Sequence, residues 1–582
     1  MIKPQRGRAA QSPASTSALF AQAITHHQAG RRVEAEQLYQ RILAMDKRHA
    51  DSLHLLGVVA YQDGRFDVAA DLISQAIRLR GSDASFFLNL GNALQAQQKL
   101  DAAIARFEQA VALRPDFAQA LYNLGNALQD QGQLDAAIAR YRQALSISPD
   151  YVTAHSNLLY CLNYHSGLSA QEIYAQHRLW DARHGGERAC LRRDPDPSET
   201  HMPQRRLRVA YVSPDLRQHA VACFFEPLLR EHDRRAMEIF CYADVVQPDA
   251  VTARLQSLSD HWLSTVGMPD EMLARRIVED RIDILVDLAG HTGDNRLSLF
   301  ACKPAPIQVN WLGYPHSTGL RAMDYRLVDE VSDPQGTADA LASESLVRLP
   351  GGFLCYEAPP TAPLPSQPPC LEGAGITFGS FNNPVKLSTA TLDAWGALLQ
   401  RLPKARLLLK GKLFADTAAC TAILAQLEQR GVKSARVTVL GMLPDPSSHL
   451  ALYSRVDIAL DPFPYNGTTT SCEALWMGVP VVTLCGDRHA ARVGASLLTQ
   501  VGLSEFIATS VADYIDIAAT LAADPQRLVQ LRRSLRARLA ASPLCDAPAF
   551  ARKMESAYRG MWQRYNARLC LAHSQDQNSL AN

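Results

Sequence analysis

The stretch YNGTTTSCEALWMGVPVV, residues 465–482, places three adjacent hydroxyls, Thr468, Thr469 and Thr470, ahead of an apolar helical run. Threonine is a poor choice inside a helix, because its hydroxyl competes for backbone partners. VDIALD (456–461) reads as a strand ending at Asp461, PFPYNG as a loop, and the threonines as the cap and first turn of a helix. Unpaired N–H groups and the positive dipole end favour an anion there. Glu473, one turn further on, could accept hydrogen bonds from a vicinal diol such as a ribose. The plain alternative is a capping box, with Thr470 as cap and Glu473 reaching back. That alternative leaves the other two threonines unexplained. A cation stands in a second motif, FGSFNNPVKLSTATLDAW (378–395), where Lys386 falls in a loop between a strand and a helix. It either meets a phosphate or is an ordinary surface lysine. Taken with the threonines, it fits a nucleotide diphosphate. With no metal motif in the sequence, Lys386 and the helix end would supply the positive charge that stabilises a leaving group.

These motifs need elements to carry them. β-Branched runs recur at 207–213, 239–244, 283–290, 307–314 and 325–329, with amphipathic helical stretches such as Pro269–Asp280 between several of them. A second set follows at 376–382, 405–411, 436–441, 456–461 and 479–486. Alternation of this kind predicts parallel sheets covered on both faces. The expected architecture is two doubly wound, Rossmann-like α/β domains, at 207–357 and 376–566, joined by the Pro-rich connector 358–375. Ligands in such sheets sit beyond the carboxyl ends of the strands. His219 follows the first strand, so it should face the cleft. It could act as a general base near neutrality or merely hydrogen-bond a substrate.

Ahead of these domains lies a repeat. Blocks starting at Ala18, Ser52, Phe86, Ala120 and Ala154 register at 34 residues, the tetratricopeptide period. A small residue recurs at Ala23, Gly57, Gly91 and Gly125, a second at Ala35, Ala69, Ala103 and Ala137, and a bulky one at Tyr39, Ile73, Phe107 and Tyr141. Residues 18–187 are therefore expected to form an α-helical solenoid whose fifth block decays into a cap. Asn89, Asn123 and Asn157 fall one per repeat, with Asn92 and Asn126 a turn on. Such a ladder of amides could hold the backbone of an extended acceptor peptide, or could bond one helix to the next.

The bulk properties agree with a globular, multidomain chain. It has 582 residues, 47% of them apolar and 20% charged, with a net charge of +1. Near-neutral charge excludes a bulk electrostatic grip on nucleic acid. The twelve cysteines form no CxxC pair, which points to a reducing compartment. Neither a convincing signal peptide nor a run of eighteen apolar residues is present. The expectation is a cytoplasmic protein with no membrane partner, a disordered start (1–17), a linker (188–206) and a polar tail (567–582). DPD at 194–196 lies in that Pro-rich linker, without the strand a metal-binding DxD would need.

Together the repeats, YVSPDLRQH (211–219), PAPIQVNWLGYP (304–315), FGSFNN…K (378–386) and DPFPYNGTTTSCEALWMGVPVVT (461–483) resemble the O-GlcNAc transferase/SPINDLY family of protein glycosyltransferases. The resemblance runs from about residue 18 to 566. It implies a GT-B fold and inverting transfer from a nucleotide sugar to Ser/Thr hydroxyls of proteins, without a cofactor. Lys386 would neutralise the diphosphate and Thr469 and Thr470 would bind phosphate. Glu473 stands where the family has an Asp that holds the ribose. Asn383 takes the place of a Gln that contacts the nucleotide, His449 that of a base-stacking His, and His219 that of a cleft histidine of disputed role. Thr468 replaces a His found in the animal enzymes. TTTxCE, GHT (290–292) and FLCY (353–356) look more like the plant SPINDLY branch, which uses GDP-fucose. Breadth of the family favours UDP-GlcNAc as donor, with GDP-fucose as alternative. A transferase acting on small molecules, and a scaffold without catalysis, are the competing readings.

Overall fold

The computed structural model describes residues 15–186, 204–373, 375–443 and 445–580. Residues 1–14 of the expected disordered start, and 188–203 of the expected linker with its DPD, lie outside the described residues. The chain divides into two compact units, Met1–Ala154 and His155–Asn582.

The first unit is a set of helix pairs. Thr16–Gln28 pairs with Arg32–Met45, Ala50–Gln62 with Phe66–Leu79, Ala84–Ala96 with Leu100–Leu113, and Ala118–Asp130 with Leu134–Ile147. The repeating small residues explain the pairing. A Cβ on Gly91 would lie 2.4 Å from Phe107 Cε1, and one on Gly125 2.6 Å from Tyr141 Cε1. Each glycine thus seats the bulky side chain of the partner helix. Ala35, Ala69, Ala103 and Ala137 are wholly buried where the helices cross.

The fifth block, expected as the decaying cap of the solenoid 18–187, groups with the second unit from His155 onward. Its side chains explain why. His177 Nε2 bonds Tyr314 Oη at 2.6 Å, and His291 Nδ1 lies 3.1 Å from Ser156 Oγ. His177 stacks on His316 with ring centroids 4.3 Å apart. The partners are polar aromatics of the first α/β lobe, not the small-on-bulky pattern of the earlier repeats.

The second unit holds two all-parallel sheets. The first contains β1 (Leu207–Ser213), β2 (Met237–Ala243), β3 (His261–Ser264), β4 (Ile284–Asp287), β5 (Ile307–Asn310), β6 (Tyr325–Val328) and β7 (Ser345–Arg348). Their order is β3-β2-β1-β4-β5-β6-β7. The second contains β8 (Thr377–Ser380), β9 (Arg406–Lys410), β10 (Val437–Leu440), β11 (Ile458–Leu460), β12 (Val481–Leu484) and β13 (Ile507–Ala508), in the order β10-β9-β8-β11-β12-β13. Both are Rossmann-like windings, with a switch point between β1 and β4 and another between β8 and β11. The strands not anticipated, β3, β7 and β13, are all at sheet edges. A single apolar cluster from Leu207 to Trp562 runs through both lobes.

One helix crosses from lobe to lobe. Ala547–Leu580, whose residues 548–566 were expected in the second lobe, packs on the first. Trp311 lies 6.0 Å from Phe550, Glu555 Oε1 is 3.1 Å from His232 Nδ1, and Tyr558 Oη is 3.3 Å from Tyr211 Oη. An amphipathic face cannot reveal from sequence which sheet it will cover. The expected polar tail, 567–582, continues this helix as far as Leu580. Among the described residues no helix is long and apolar enough to cross a membrane.

Candidate active site

The second switch point gathers the chemistry. β8 runs into Phe381–Lys386, β11 ends before Asp461, and the helix Thr469–Trp476 begins eight residues after that aspartate. Lys386 is half-buried. Its Nζ donates to the main-chain oxygen of Asn466 at 2.7 Å and sits 4.3 Å above the Tyr465 ring. Burial lowers its pKa to about 8, against the opposing pull of Asp461. Burial pushes the Asp461 carboxyl up, although it accepts from Gly467 N at 2.6 Å and from Thr483 Oγ1 at 2.7 Å. The loop carrying the threonines is therefore fastened to the strand it leaves.

Thr468 is the N-cap of the helix, and its side chain makes no capping bond. Thr470 Oγ1 donates to Asn382 Oδ1 at 2.9 Å. Glu473 does not reach back to the helix start. Its Oε2 instead accepts from His449 Nε2 at 2.8 Å and from Tyr453 Oη at 3.4 Å. The capping-box alternative is thereby excluded, and the helix N-terminus keeps its capacity for an anion. On its other side His449 Nδ1 lies 2.7 Å from Lys410 Nζ. The lysine donates to Nδ1, so the ring's own proton sits on Nε2 and points at Glu473. Lys410 is almost wholly buried, and burial lowers its pKa while Glu473 raises it. A cation, an imidazole and a carboxylate thus form a line across the end of β9 and the threonine helix.

Asn383 is exposed, and its Oδ1 accepts from Val385 N at 3.3 Å. The neighbouring Asn382 is the buried amide that meets Thr470. Sequence reasoning missed Asn382, Lys410, Tyr453, Asp461 and Tyr465. Two of them carried a signal: Lys410 and Asp461 each place a charge directly after a three-residue apolar run of the strand, in ARLLLKG and VDIALD.

On the first lobe, His219 caps the helix Ala220–Glu231, its Nδ1 accepting from Val221 N at 3.3 Å. Asp215 Oδ1 lies 3.6 Å from that nitrogen. Burial lowers the imidazole pKa, opposed by Asp215. The two lobes meet near this point. Cys223, one turn beyond His219, has its thiol raised to about 11 by burial and then by the Glu473 carboxylate. The lobes are pinned by His489 Nδ1 to Asp333 Oδ2 at 2.5 Å and by Ser496 Oγ to Asp329 Oδ2 at 2.6 Å.

The three repeat amides do not share one environment. Asn89 Nδ2 bonds His54 Nε2 at 2.8 Å, and Asn123 Nδ2 donates to Asn92 Oδ1 at 2.7 Å. Asn157 belongs to the second unit.

Two parallel Rossmann-like sheets, with a helix start and a buried lysine at one switch point, define the two-lobed GT-B class of glycosyltransferase fold. Comparison with known proteins agrees. The glycosyl transferase family 41 model matches residues 151–358 and 367–554, and tetratricopeptide models match 20–84, 91–132 and 125–158. The chain belongs to glycosyl transferase family 41. It is 41% identical over 413 residues to the "probable UDP-N-acetylglucosamine--peptide N-acetylglucosaminyltransferase SPINDLY" of Hordeum vulgare, covering 70% of this chain and 43% of that one. With the corresponding Arabidopsis thaliana enzyme SEC it shares 32% over 369 residues, 62% of this chain and 37% of that one. The chain thus spans less than half the length of these curated relatives. A mutant Thermobaculum terrenum O-GlcNAc transferase superposes with a TM-score of 0.77 at 35% identity, over 97% of this chain and all of that one.

Proposed function

We propose that this chain transfers a sugar from a nucleotide diphosphate donor to Ser or Thr hydroxyls of proteins, with inversion, and that the donor is UDP-GlcNAc. The observation that carries the reading is the half-buried Lys386 beside the N-terminus of the threonine helix. In the proposed reaction the acceptor oxygen attacks the anomeric carbon as the bond to the β-phosphate oxygen breaks. The hydroxyl proton leaves to a base. Negative charge grows on the departing diphosphate, where the Lys386 ammonium and the N–H groups of Thr469 and Thr470 stabilise it. Glu473 holds the ribose, His449 stacks on the base, and acceptor proteins bind through the repeats. The names of the relatives support the GlcNAc donor.

A second reading, transfer of fucose from GDP-fucose, is favoured by one specific observation. The chain is 41% identical to a SPINDLY protein but 32% to SEC, and Thr468 stands in place of the animal histidine. Incubating the protein with each labelled donor and a protein lysate tests both. Label on protein from UDP-GlcNAc supports the first reading, and label from GDP-fucose alone replaces it with the second. Sugar transfer with no protein acceptor, or no turnover of either donor, removes both.

A further inference from the structure

The segment that ends the fifth block reaches both lobes beside the candidate active site. Asn163 is wholly buried, and its Nδ2 lies 2.9 Å from Tyr314 Oη on the first lobe. The next residue, Tyr164, is 3% exposed and stacks on Tyr465 of the second lobe, with ring centroids 4.6 Å apart and an interplanar angle of 11°. Further along, Leu168 O accepts from Arg488 Nη2 at 3.1 Å and Ala170 N donates to Asp487 Oδ2 at 3.3 Å. Tyr465 is also the ring over which the Lys386 ammonium rests, at 4.3 Å.

We propose that Tyr164 is a positioning residue for Lys386, its ring fixing the plane of Tyr465 and so the seat of the ammonium. This rests on the reading of Lys386 as the cation at the leaving group. Tyr465 sits on the loop between β11 and the threonine helix; Asn466 N donating to Ala490 O at 2.9 Å and Gly467 N to Asp461 Oδ1 at 2.6 Å fasten its main chain, which leaves the orientation of the Tyr465 ring to its neighbours. A parallel aromatic neighbour restricts its rotation, and the electron-rich face then offers the ammonium a fixed site. The ammonium also donates to the Asn466 carbonyl, on the residue after Tyr465, and the Asp461 carboxyl favours its charge. The ring contact and the hydrogen bond thus both move with this loop. Tyr164 is held by its burial between the lobes, and its hydroxyl meets Tyr160 Oη at 2.6 Å. The titratable groups around the lysine are Asp461, Tyr465 and, behind that ring, Tyr164 and Tyr160.

The test compares Tyr164→Phe, which keeps the ring, with Tyr164→Leu, which removes it. Donor turnover is followed against pH, and trace acylation of Lys386 is followed against pH by mass spectrometry. Tyr164→Phe should match the native protein. Tyr164→Leu should lose about 10-fold or more in kcat, as misplaced catalytic groups do, with donor KM little changed. The acylation midpoint of Lys386, which burial should hold at about 8 in the native protein, should move up in Tyr164→Leu as water reaches the ammonium. If Leu does not fold, as judged by circular dichroism, Tyr164→Met replaces it. An unchanged midpoint, or equal damage in the Phe variant, overturns the proposal. If the native protein turns over neither donor, the functional reading fails by itself, and the acylation arm alone judges Tyr164.

Discussion

Nδ1 of His219 accepts the backbone N–H of Val221 at 3.3 Å. That bond makes the imidazole the cap of the helix it precedes, and it occupies the ring's δ lone pair. A neutral ring so engaged carries its proton on Nε2. At neutral pH His219 therefore presents a donor from Nε2, not a base. We predict that His219→Asn keeps thermal stability, because Asn caps helices well, and that it raises donor KM more than it lowers kcat. A fall of about 100-fold or more in kcat at unchanged KM, the loss typical of an absent general base, would assign His219 that role instead.

Lys386 sets the second prediction. Lys386→Ala should lower turnover by roughly 10²–10³-fold, the scale for removing a charge-stabilising group, while circular dichroism stays native. The active form is the ammonium, and burial places its pKa at about 8. Native activity should accordingly decline as pH rises through about 8. A lysine at its ordinary value would keep activity well above that pH. An alkaline limb that stays in place in the Ala variant would belong to another group.

The third prediction concerns the line Lys410–His449–Glu473. Titration with UDP and with GDP should raise thermal stability for the cognate nucleotide, by about 2.7 kcal/mol at 100 times its dissociation constant. His449→Ala should weaken that nucleotide by about 1–3 kcal/mol, the scale of base stacking. Lys410→Met should also weaken it, because His449 and Glu473 lose the cation that orders them. Unaltered binding in both variants would place the base elsewhere.

A fourth prediction follows from the buried histidines. Burial lowers His155 to about 3 and His177 to about 4, with His184 and Arg183 adding to the first and Arg326 to the second. His291 and His316 are also held well below their ordinary value, chiefly by burial. The unfolded chain binds these protons from about pH 6.5 downward, whereas the folded one excludes them until much lower pH. Stability must then fall as pH drops from 6.5 towards 4, by roughly 1.5 kcal/mol for each of His155 and His177 between pH 6.5 and 5. Denaturant titrations at these two pH values measure it. His155→Gln should flatten the slope.

The repeats make a fifth. Asn89→Ala with Asn123→Ala removes the amides that bond His54 and Asn92. If the ladder holds acceptors, protein labelling should fall while hydrolysis of the nucleotide sugar is unchanged. Melting of the solenoid at lower temperature, with both activities reduced together, would show the amides to be structural.

Much of this molecule is local in origin and so was legible in the chain. The 34-residue period is a contact rule between adjacent helices: Gly91 admits Phe107 sixteen residues later. The alternation of strands and helices dictated parallel sheets, and the strand–loop–helix pattern around 456–476 and 376–395 was enough to put Thr468–Thr470 and Lys386 at the same switch point. Tertiary structure alone decided the rest. Asn382 and Asn383 are adjacent, and only packing against Thr470 buries the first and leaves the second in water. Glu473 had a backbone N–H within reach in sequence but bonds His449, twenty-four residues away, because β9, the His449 helix and the threonine helix converge at the switch point. The C-terminal helix covers the first sheet, and the fifth block groups with the second unit from His155 onward. An amphipathic stripe specifies that a face must be buried and not what buries it. That choice depends on shape and hydrogen-bond complementarity between segments hundreds of residues apart, which no local pattern encodes.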